Sequence, residues 1–271
     1  MFKSNSGEPY AGKLHVRFVE EFISNCLKIS KVKKEVNLLM NVKQKLLKIA
    51  GKDNFELDEN INFTYILRLC YKYGCMLIRG KLISLFKINI SSNIFVGKKV
   101  KILDKSKVFI GNKCKLHDGV YIDALSKNGV SIGDNVVLGR NTRIECTGGL
   151  EHIGKGVKIG NRTTFANDCF FGAAGGIEVG DDVVAGQFIR FHSENHEYSN
   201  MNLLIKDQGV IHKGIVIGNN CWIGAGAVFL DGAKLGDGCV VAANAVVTKE
   251  FPDNSVIGGV PAKVLKFRNE V

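Results

Sequence analysis

The stretch that decides the fold reads Ile217-Gly218-Asn219-Asn220-Cys221-Trp222 and continues as Ile223-Gly224-Ala225-Gly226-Ala227-Val228. An aliphatic residue opens each group of six, a small residue follows it, and a slim residue tends to stand fifth. The same period returns at other aliphatic–small pairs: Ile110-Gly111, Ile132-Gly133, Leu138-Gly139, Ile153-Gly154, Ile159-Gly160, Val179-Gly180, Leu235-Gly236 and Val241-Ala242. Self-similarity at a fixed period is typical of a solenoid, whereas helices and simple strands show periods of 3.6 and 2.

Each hexad can supply one short parallel strand and one corner of a coil. The aliphatic residue points inward and stacks on its equivalent in the next coil, so that neighbouring coils share one continuous core. The period predicts a mainly β fold, a parallel β-helix in which residues 96–259 form about nine turns of three hexads. A β-sandwich fits less well because its strands recur at about 8–12 residues.

Cysteine positions agree with this prediction. The fifth position of a hexad holds cysteine four times, at Cys114, Cys169, Cys221 and Cys239. A free cysteine behaves as a small apolar residue, so we expect buried, reduced thiols. The chain has no CxxC pair and no visible signal peptide, which favours reduced cysteines over disulfides or a zinc ribbon and predicts a cytoplasmic protein.

Positive charge is concentrated ahead of the repeats. Residues 1–100 hold 18 Lys and Arg against 8 Asp and Glu, whereas the net charge of all 271 residues is +11. Apolar residues at helical spacing occur within 22–49 and again at about 62–87. We therefore expect a basic helical N-terminal region over residues 1–90 and a solenoid domain with a C-terminal tail over 91–271.

Three interpretations of the basic region remain open. It could be a cap that covers the first coil of the solenoid, which we favour, or a basic amphipathic surface that makes weak contact with anionic lipid. Nucleic-acid binding is disfavoured because no recognisable pattern of basic and aromatic residues is present.

The hexad register stops after Phe191 and resumes near Ile215. Two imidazoles, His192 and His196, leave the coils there together with Glu194. A neutral imidazole on a sheltered loop suits general-base catalysis, and a carboxylate such as Glu194 could hold its ring in the required tautomer. Alternatively, these are solvated loop residues.

Residues 96–266 resemble the hexapeptide-repeat acyltransferases, whose fold is a left-handed parallel β-helix, and most closely their sugar O-acetyltransferase branch. The resemblance is carried by five stretches in the order and spacing of that family: Ser193-Glu194-Asn195-His196, Gln208-Gly209, Ile217 to Gly224, Val246-Val247-Thr248-Lys249 and Gly258-Gly259-Val260-Pro261-Ala262-Lys263. It implies transfer of an acetyl group from acetyl-CoA to a hydroxyl of a saccharide or of a precursor of a cell-envelope polysaccharide, such as capsule or O-antigen.

The same resemblance implies roles for individual residues. His196 falls on the catalytic base position, with Glu194 beside it. Acceptor binding is implied for Asn167, Asp168 and Trp222, and coenzyme A binding for Ala225, Ala243, Thr248, Lys249, Lys263 and Lys266. No metal is expected, and because sites in this family are shared between subunits, the resemblance implies a homotrimer.

Alternative functions share parts of this pattern. The same base would serve an N-acetyltransferase that acts on a nucleotide-linked amino sugar. Serine acetyltransferase combines helices with a similar solenoid, and a γ-type carbonic anhydrase would use three histidines to bind zinc. A non-enzymatic scaffold is disfavoured because its repeats would be more regular and would lack a protruding loop.

Overall fold

A computed structural model describes residues 58, 61–85, 89–150 and 152–270. The helical spacing predicted within 22–49 lies outside these residues. The stretch predicted at about 62–87 forms the helix α1, Phe63–Ser84. Its first turn is capped by Asn62, whose side-chain oxygen accepts the N–H of Tyr65 at 2.8 Å. Nothing among the described helices has the length and apolarity that a membrane crossing requires.

The repeats form three parallel sheets that are the faces of a prism. The first sheet contains, in spatial order, β1 Phe95–Val96, β4 Lys115–Leu116, β7 Val137–Leu138, β10 Thr164–Phe165, β13 Val184–Ala185, β18 Trp222–Ile223, β21 Val240–Val241 and β24 Ser255–Gly259, with β25 Ala262–Phe267 antiparallel at its edge. The second contains β2 Lys101–Leu103, β5 Tyr121–Asp123, β8 Arg143–Glu145, β11 Phe170–Gly172, β14 Arg190–His192, β19 Val228–Leu230 and β22 Val246–Val247. The third contains β3 Val108–Ile110, β6 Val130–Ile132, β9 Val157–Ile159, β12 Ile177–Val179, β17 Ile215–Ile217, β20 Lys234–Leu235 and β23 Glu250–Phe251.

Each coil runs from the first sheet to the second and then to the third, so the prism has three kinds of corner, which we call corner 1–2, corner 2–3 and corner 3–1. The left-handed parallel β-helix preceded by helix is confirmed as the fold class. The estimate of about nine turns is wrong, since the described residues supply seven strands to two of the sheets. The excess arose because two insertions, at 146–156 and 193–214, contribute no strand to the prism. The pair Ile153-Gly154, which the period placed at the start of a hexad, lies in the first insertion with Ile153 41% exposed.

The prism is filled by the aliphatic residue of each hexad and by one column of aromatic rings. Phe171, Phe191 and Phe229 stack in successive coils of the second sheet, with ring centroids 4.8 and 4.9 Å apart. All three are fully buried. The four cysteines in fifth positions are free thiols and at most 2% exposed, as predicted.

Corner 3–1 is held by a ladder of side chains that runs along the whole prism. The rungs are, in order, Asn112, Asp134, Asn161, Asp181, Asn219, Asp237 and Asp253, and each rung from Asp134 onward accepts the backbone N–H of the rung in the preceding coil, at 2.6–2.9 Å. These bonds satisfy corner amides that no strand can pair. The corner therefore needs Asn or Asp in the position after each glycine or proline.

Helix α1 covers the first coil. Tyr73 packs edge-on against Phe95 with centroids 5.9 Å apart, and the Nε of Arg79 donates to the carbonyl of Val96 at 2.8 Å. Lys115 is buried nearby, with its ammonium 5.7 Å from the Tyr73 ring centroid, and this burial lowers the pKa of Lys115 to about 8. The inner face of the helix thus performs the capping expected from the sequence.

Candidate functional site

The largest departure from the coils is a loop that leaves corner 2–3 after β14 and returns before β17. It contains a two-stranded antiparallel hairpin, β15 Asn195–His196 with β16 Val210–Ile211, in which His196 lies opposite Val210. The tip between the strands is closed by the Gln208 amide, which contacts the backbone of Asn200 and Leu203. The interruption predicted between Phe191 and Ile215 is therefore an ordered structure.

The two candidate bases occupy different surroundings. His196 is exposed on β15 and, among the described residues, its ring makes no side-chain hydrogen bond, which leaves both nitrogens accessible. His192 ends β14 with its ring 5.6 Å from the ring of Phe170. Partial burial, and then the charge of Arg190, lower the pKa of His192 below its usual value.

Glu194 contacts His212, a histidine to which the sequence analysis assigned no role. Its Oε2 lies 2.7 Å from Nε2 of His212, across the neck of the loop. The expectation that Glu194 orients His196 finds no contact to support it within one protomer. The pair instead joins the outgoing and returning strands, next to the hairpin that carries His196.

A second anchor at the base of the loop is Asp231, which the sequence analysis missed. Its carboxylate is 5% exposed and accepts the N–H groups of Lys213 at 2.9 Å and Gly214 at 2.7 Å. Equivalent positions in other coils hold small buried residues, Ala124, Cys146, Ala173 and Ser193. The sequence did carry a signal for this role, because Asp231 is a carboxylate at a position where these other coils hold small buried residues.

We expect Asp231→Asn to loosen the loop, because one oxygen acceptor of the carboxylate is replaced by a donor that faces N–H groups. A hydrogen bond to a charged group contributes about 1.5–3 kcal/mol. Trypsin should therefore cleave faster after Lys206, which is exposed in the tip of the loop. The control is Asp207→Asn beside the same site, and equal cleavage rates in the two variants would contradict the anchoring role.

The hydrogen bonding of the backbone amides at corner 1–2 changes along the prism. In the first and third coils its second residue has a capped amide: the N–H of Lys98 donates to Asp118 at 2.7 Å and that of Arg140 to Asn167 at 2.9 Å. From the fourth coil onward that position holds Asn167, Gln187, Ala225 and Ala243. Within the described residues these four amides, like that of Asp118 in the second coil, have no hydrogen-bond acceptor. The corner therefore presents a row of unpaired N–H donors beside small side chains.

The acceptor candidates lie on or next to this corner. Asn167 caps Arg140, and Asp168 accepts from the side chain of Asn141 at 3.0 Å, so both already make contacts between coils. Trp222 lies on the outer side of the first sheet, 61% exposed, with Val184 and Val240 beside it in the neighbouring coils.

One protomer does not bring the coenzyme A candidates together. Ala225 and Ala243 lie at corner 1–2, whereas Thr248 and Lys249 follow β22 at corner 2–3. The exposed Lys263 and Lys266 belong to β25, at the C-terminal edge of the first sheet. His196 also projects from corner 2–3, so a strand of the second sheet separates it from the row of N–H donors.

No group of three His, Cys, Asp or Glu side chains that could hold a metal ion occurs in the described residues.

Known proteins share the repeats of this chain. Residues 214–249 match the family model described as bacterial transferase hexapeptide, six repeats. A probable acetyltransferase of Mycobacterium tuberculosis is 34% identical over 150 residues, which cover 49% of this chain and 50% of that protein. Galactoside O-acetyltransferase of Escherichia coli K12 is 31% identical over 123 residues, covering 44% and 55%.

A third relative, also from Escherichia coli K12, is named for O-acetyl transfer in lipopolysaccharide biosynthesis. It is 28% identical over 148 residues, which cover 52% of this chain and 72% of that protein. The chain spans about half the length of the first two relatives. The family match and the coiled prism agree with the resemblance described in the sequence analysis, and residues 214–249 carry the repeats of the bacterial hexapeptide transferases.

Proposed function

We propose that this protein is an acetyl-CoA-dependent O-acetyltransferase that modifies a saccharide or a saccharide precursor of a cell-envelope polysaccharide. The observation that carries the proposal is the row of unpaired N–H donors of Gln187, Ala225 and Ala243. Exposed amides beside small residues suit an extended ligand that carries amide carbonyls of its own, as the pantetheine arm of coenzyme A does.

The lysines at the C-terminal edge of the first sheet suit the phosphate end of coenzyme A. Lys263 and Lys266 are exposed on β25, beside the last coils of the first sheet. Lysine binds phosphate as a point charge, so we assign both to the phosphates of coenzyme A. Thr248 and Lys249 would contact its outer part from a neighbouring protomer.

His196 is the general base of the proposed reaction. Its ring takes the proton of an acceptor hydroxyl as the oxygen attacks the thioester carbonyl, and a backbone N–H of the groove stabilises the oxyanion. The tetrahedral intermediate collapses with cleavage of the C–S bond. The imidazolium returns its proton to the leaving sulfur, which gives coenzyme A and an acetyl ester. Asn167, Asp168 and Trp222 are the proposed acceptor contacts.

The positions of these parts support a site that is shared between copies of the chain. His196 and the N–H row lie at opposite ends of the strands of the second sheet, about 15 Å apart at the usual rise per residue. We infer that the loop of one protomer faces corner 1–2 of another, in the homotrimer that the family resemblance implies. The buried free thiols support a reducing, cytoplasmic location.

Calorimetry with coenzyme A tests the donor site. We expect binding by the full chain and at least tenfold weaker binding by Ala243→Phe, because the larger ring fills the space beside the N–H row. The matched control is Gly148→Phe, since a Cβ at Gly148 meets no atom within 4 Å. If the unmodified protein showed no affinity for coenzyme A, the proposal would be contradicted.

A thiol-release assay with acetyl-CoA tests the acceptor. The panel contains free sugars, nucleotide-linked sugars and amino sugars, and the bond in each product is identified by its lability to mild base. We expect turnover with a hydroxyl acceptor and a base-labile ester. A base-stable amide product would instead assign the N-acetyltransferase alternative.

A further inference from the structure

Helix α1 has two apolar faces, and the first coil covers one of them. Cys70, Met76 and Leu77 are buried on the inner face. On the outer side four large apolar residues at helical spacing remain 54–77% exposed: Tyr71, Ile78, Leu82 and Leu85. They recur at intervals of seven, four and three residues, which places them in one stripe along the helix.

A cap alone does not account for that stripe. A terminal element that seals a solenoid needs an apolar inner surface and a polar outer one, because the outer surface faces water. The outer stripe of α1 contributes nothing to the seal. Large contiguous apolar surface on a soluble protein marks an interaction site, so this face fits a partner.

The charge around the stripe indicates the chemistry of the partner. Between residues 61 and 115 the chain holds 12 Lys and Arg and a single acidic residue, Asp104. Exposed cations lie on the helix at Arg68, Lys72 and Lys81, and on the first coil at Lys98, Lys99 and Lys101. Because α1 packs against β1 of that coil, all of them lie at the N-terminal end of the prism.

We propose that this end of the prism docks on an anionic lipid surface, with the outer stripe of α1 lying among the headgroups. The docking face consists of the four apolar residues of the stripe and the six cations around it. An apolar helical stripe flanked by Lys and Arg binds in the plane of a bilayer interface, and long basic side chains reach lipid phosphates from there. Each lysine near an anionic surface adds attraction that salt screens.

Aliphatic side chains favour lipid over nucleic acid as the partner. A phosphate backbone would satisfy the cations, but Ile78, Leu82 and Leu85 would stay in water beside it. A lipid interface satisfies the charges and buries the apolar side chains. If the proposed transferase activity holds, this position at a membrane favours a lipid-linked saccharide as the acceptor.

Vesicle sedimentation with the full chain tests the docking face. We expect the protein to sediment with vesicles of phosphatidylcholine and phosphatidylglycerol at low salt, and to stay in solution with phosphatidylcholine alone. The variant Ile78→Ser/Leu82→Ser should weaken binding about tenfold or more. Lys98→Gln/Lys99→Gln/Lys101→Gln should weaken it about fivefold for each lysine removed, and mainly at low salt.

The matched control is Leu150→Ser/Ile153→Ser, which replaces two exposed apolar residues of the 146–156 insertion, in the third coil rather than on α1. This variant should bind vesicles like the unmodified protein. Two results would overturn the proposal: no binding of the full chain to anionic vesicles, or equal binding by the Ile78/Leu82 variant and this control. Stronger retention on single-stranded DNA than on anionic vesicles would replace lipid with nucleic acid.

Thiol release with a soluble acceptor separates this inference from the proposed function. The Ile78/Leu82 variant should lose vesicle binding and keep its turnover in solution. If the full chain released no thiol with any acceptor, the transferase proposal would fail, but the vesicle-binding result would still stand.

Discussion

The variant His196→Ala is expected to lose about 10²–10⁴-fold in kcat with a saccharide acceptor, because it lacks the imidazole that we propose as the base for the hydroxyl proton. Affinity for coenzyme A, measured by calorimetry, should stay within twofold of the original, since the N–H row of corner 1–2 is untouched. The KM for acetyl-CoA should change little for the same reason. His196 is exposed on β15 and supports no core packing, so the fold should persist.

Two comparison variants sharpen this test. His152→Ala removes an exposed imidazole outside the loop and should keep full activity. His212→Ala breaks the pair with Glu194, and its effect should be smaller than that of His196→Ala. If kcat were unchanged in His196→Ala but fell strongly in His212→Ala, the catalytic base would have to be assigned to the Glu194–His212 pair instead.

The variant Phe191→Ala is expected to lower the free energy of unfolding by about 3–5 kcal/mol, the range for emptying a buried aromatic site. Phe191 is fully buried between Phe171 and Phe229, and its ring also meets Phe165 with centroids 6.1 Å apart. Neighbouring coils cannot close the gap, because each ring is held at the strand spacing by main-chain hydrogen bonds. Urea denaturation followed by circular dichroism measures the loss.

Phe109→Ala is the matched control, since Phe109 is 53% exposed on the outer side of β3. Its cost should be about 1 kcal/mol or less. Similar losses in the two variants would mean that the aromatic column does not bind the central coils together. Because Phe191 directly precedes His192 and the loop, its variant should also show reduced turnover below the unfolding transition.

The hexad pattern predicted the three faces because the inward aliphatic residue repeats with every strand. It also located the loop, since His192 to Lys213 cannot be written as hexads. The contacts inside the loop could not be predicted in the same way. Glu194 and His212 are 18 residues apart and meet only because the hairpin closes between them.

Two features of the candidate site depend on which coil follows which. The unpaired amides at Ala225 and Ala243 become visible only when it is known that Lys98 and Arg140 receive caps from the next coil. The separation between His196 and that row follows from the path of the second sheet. Predicting both features requires the register between coils. A six-residue period does not give that register when two insertions interrupt the chain.

The ladder at corner 3–1 alternates amide and carboxylate from Asn112 to Asp237. Over these six rungs like charges stand two coils apart, about 9.6 Å, whereas the last two rungs, Asp237 and Asp253, are carboxylates in adjacent coils. The repeating unit of the ladder from Asn112 to Asp237 is therefore a pair of coils. Removing one coil from the middle of the prism would set two aspartates or two asparagines side by side, whereas removing two would restore the alternation.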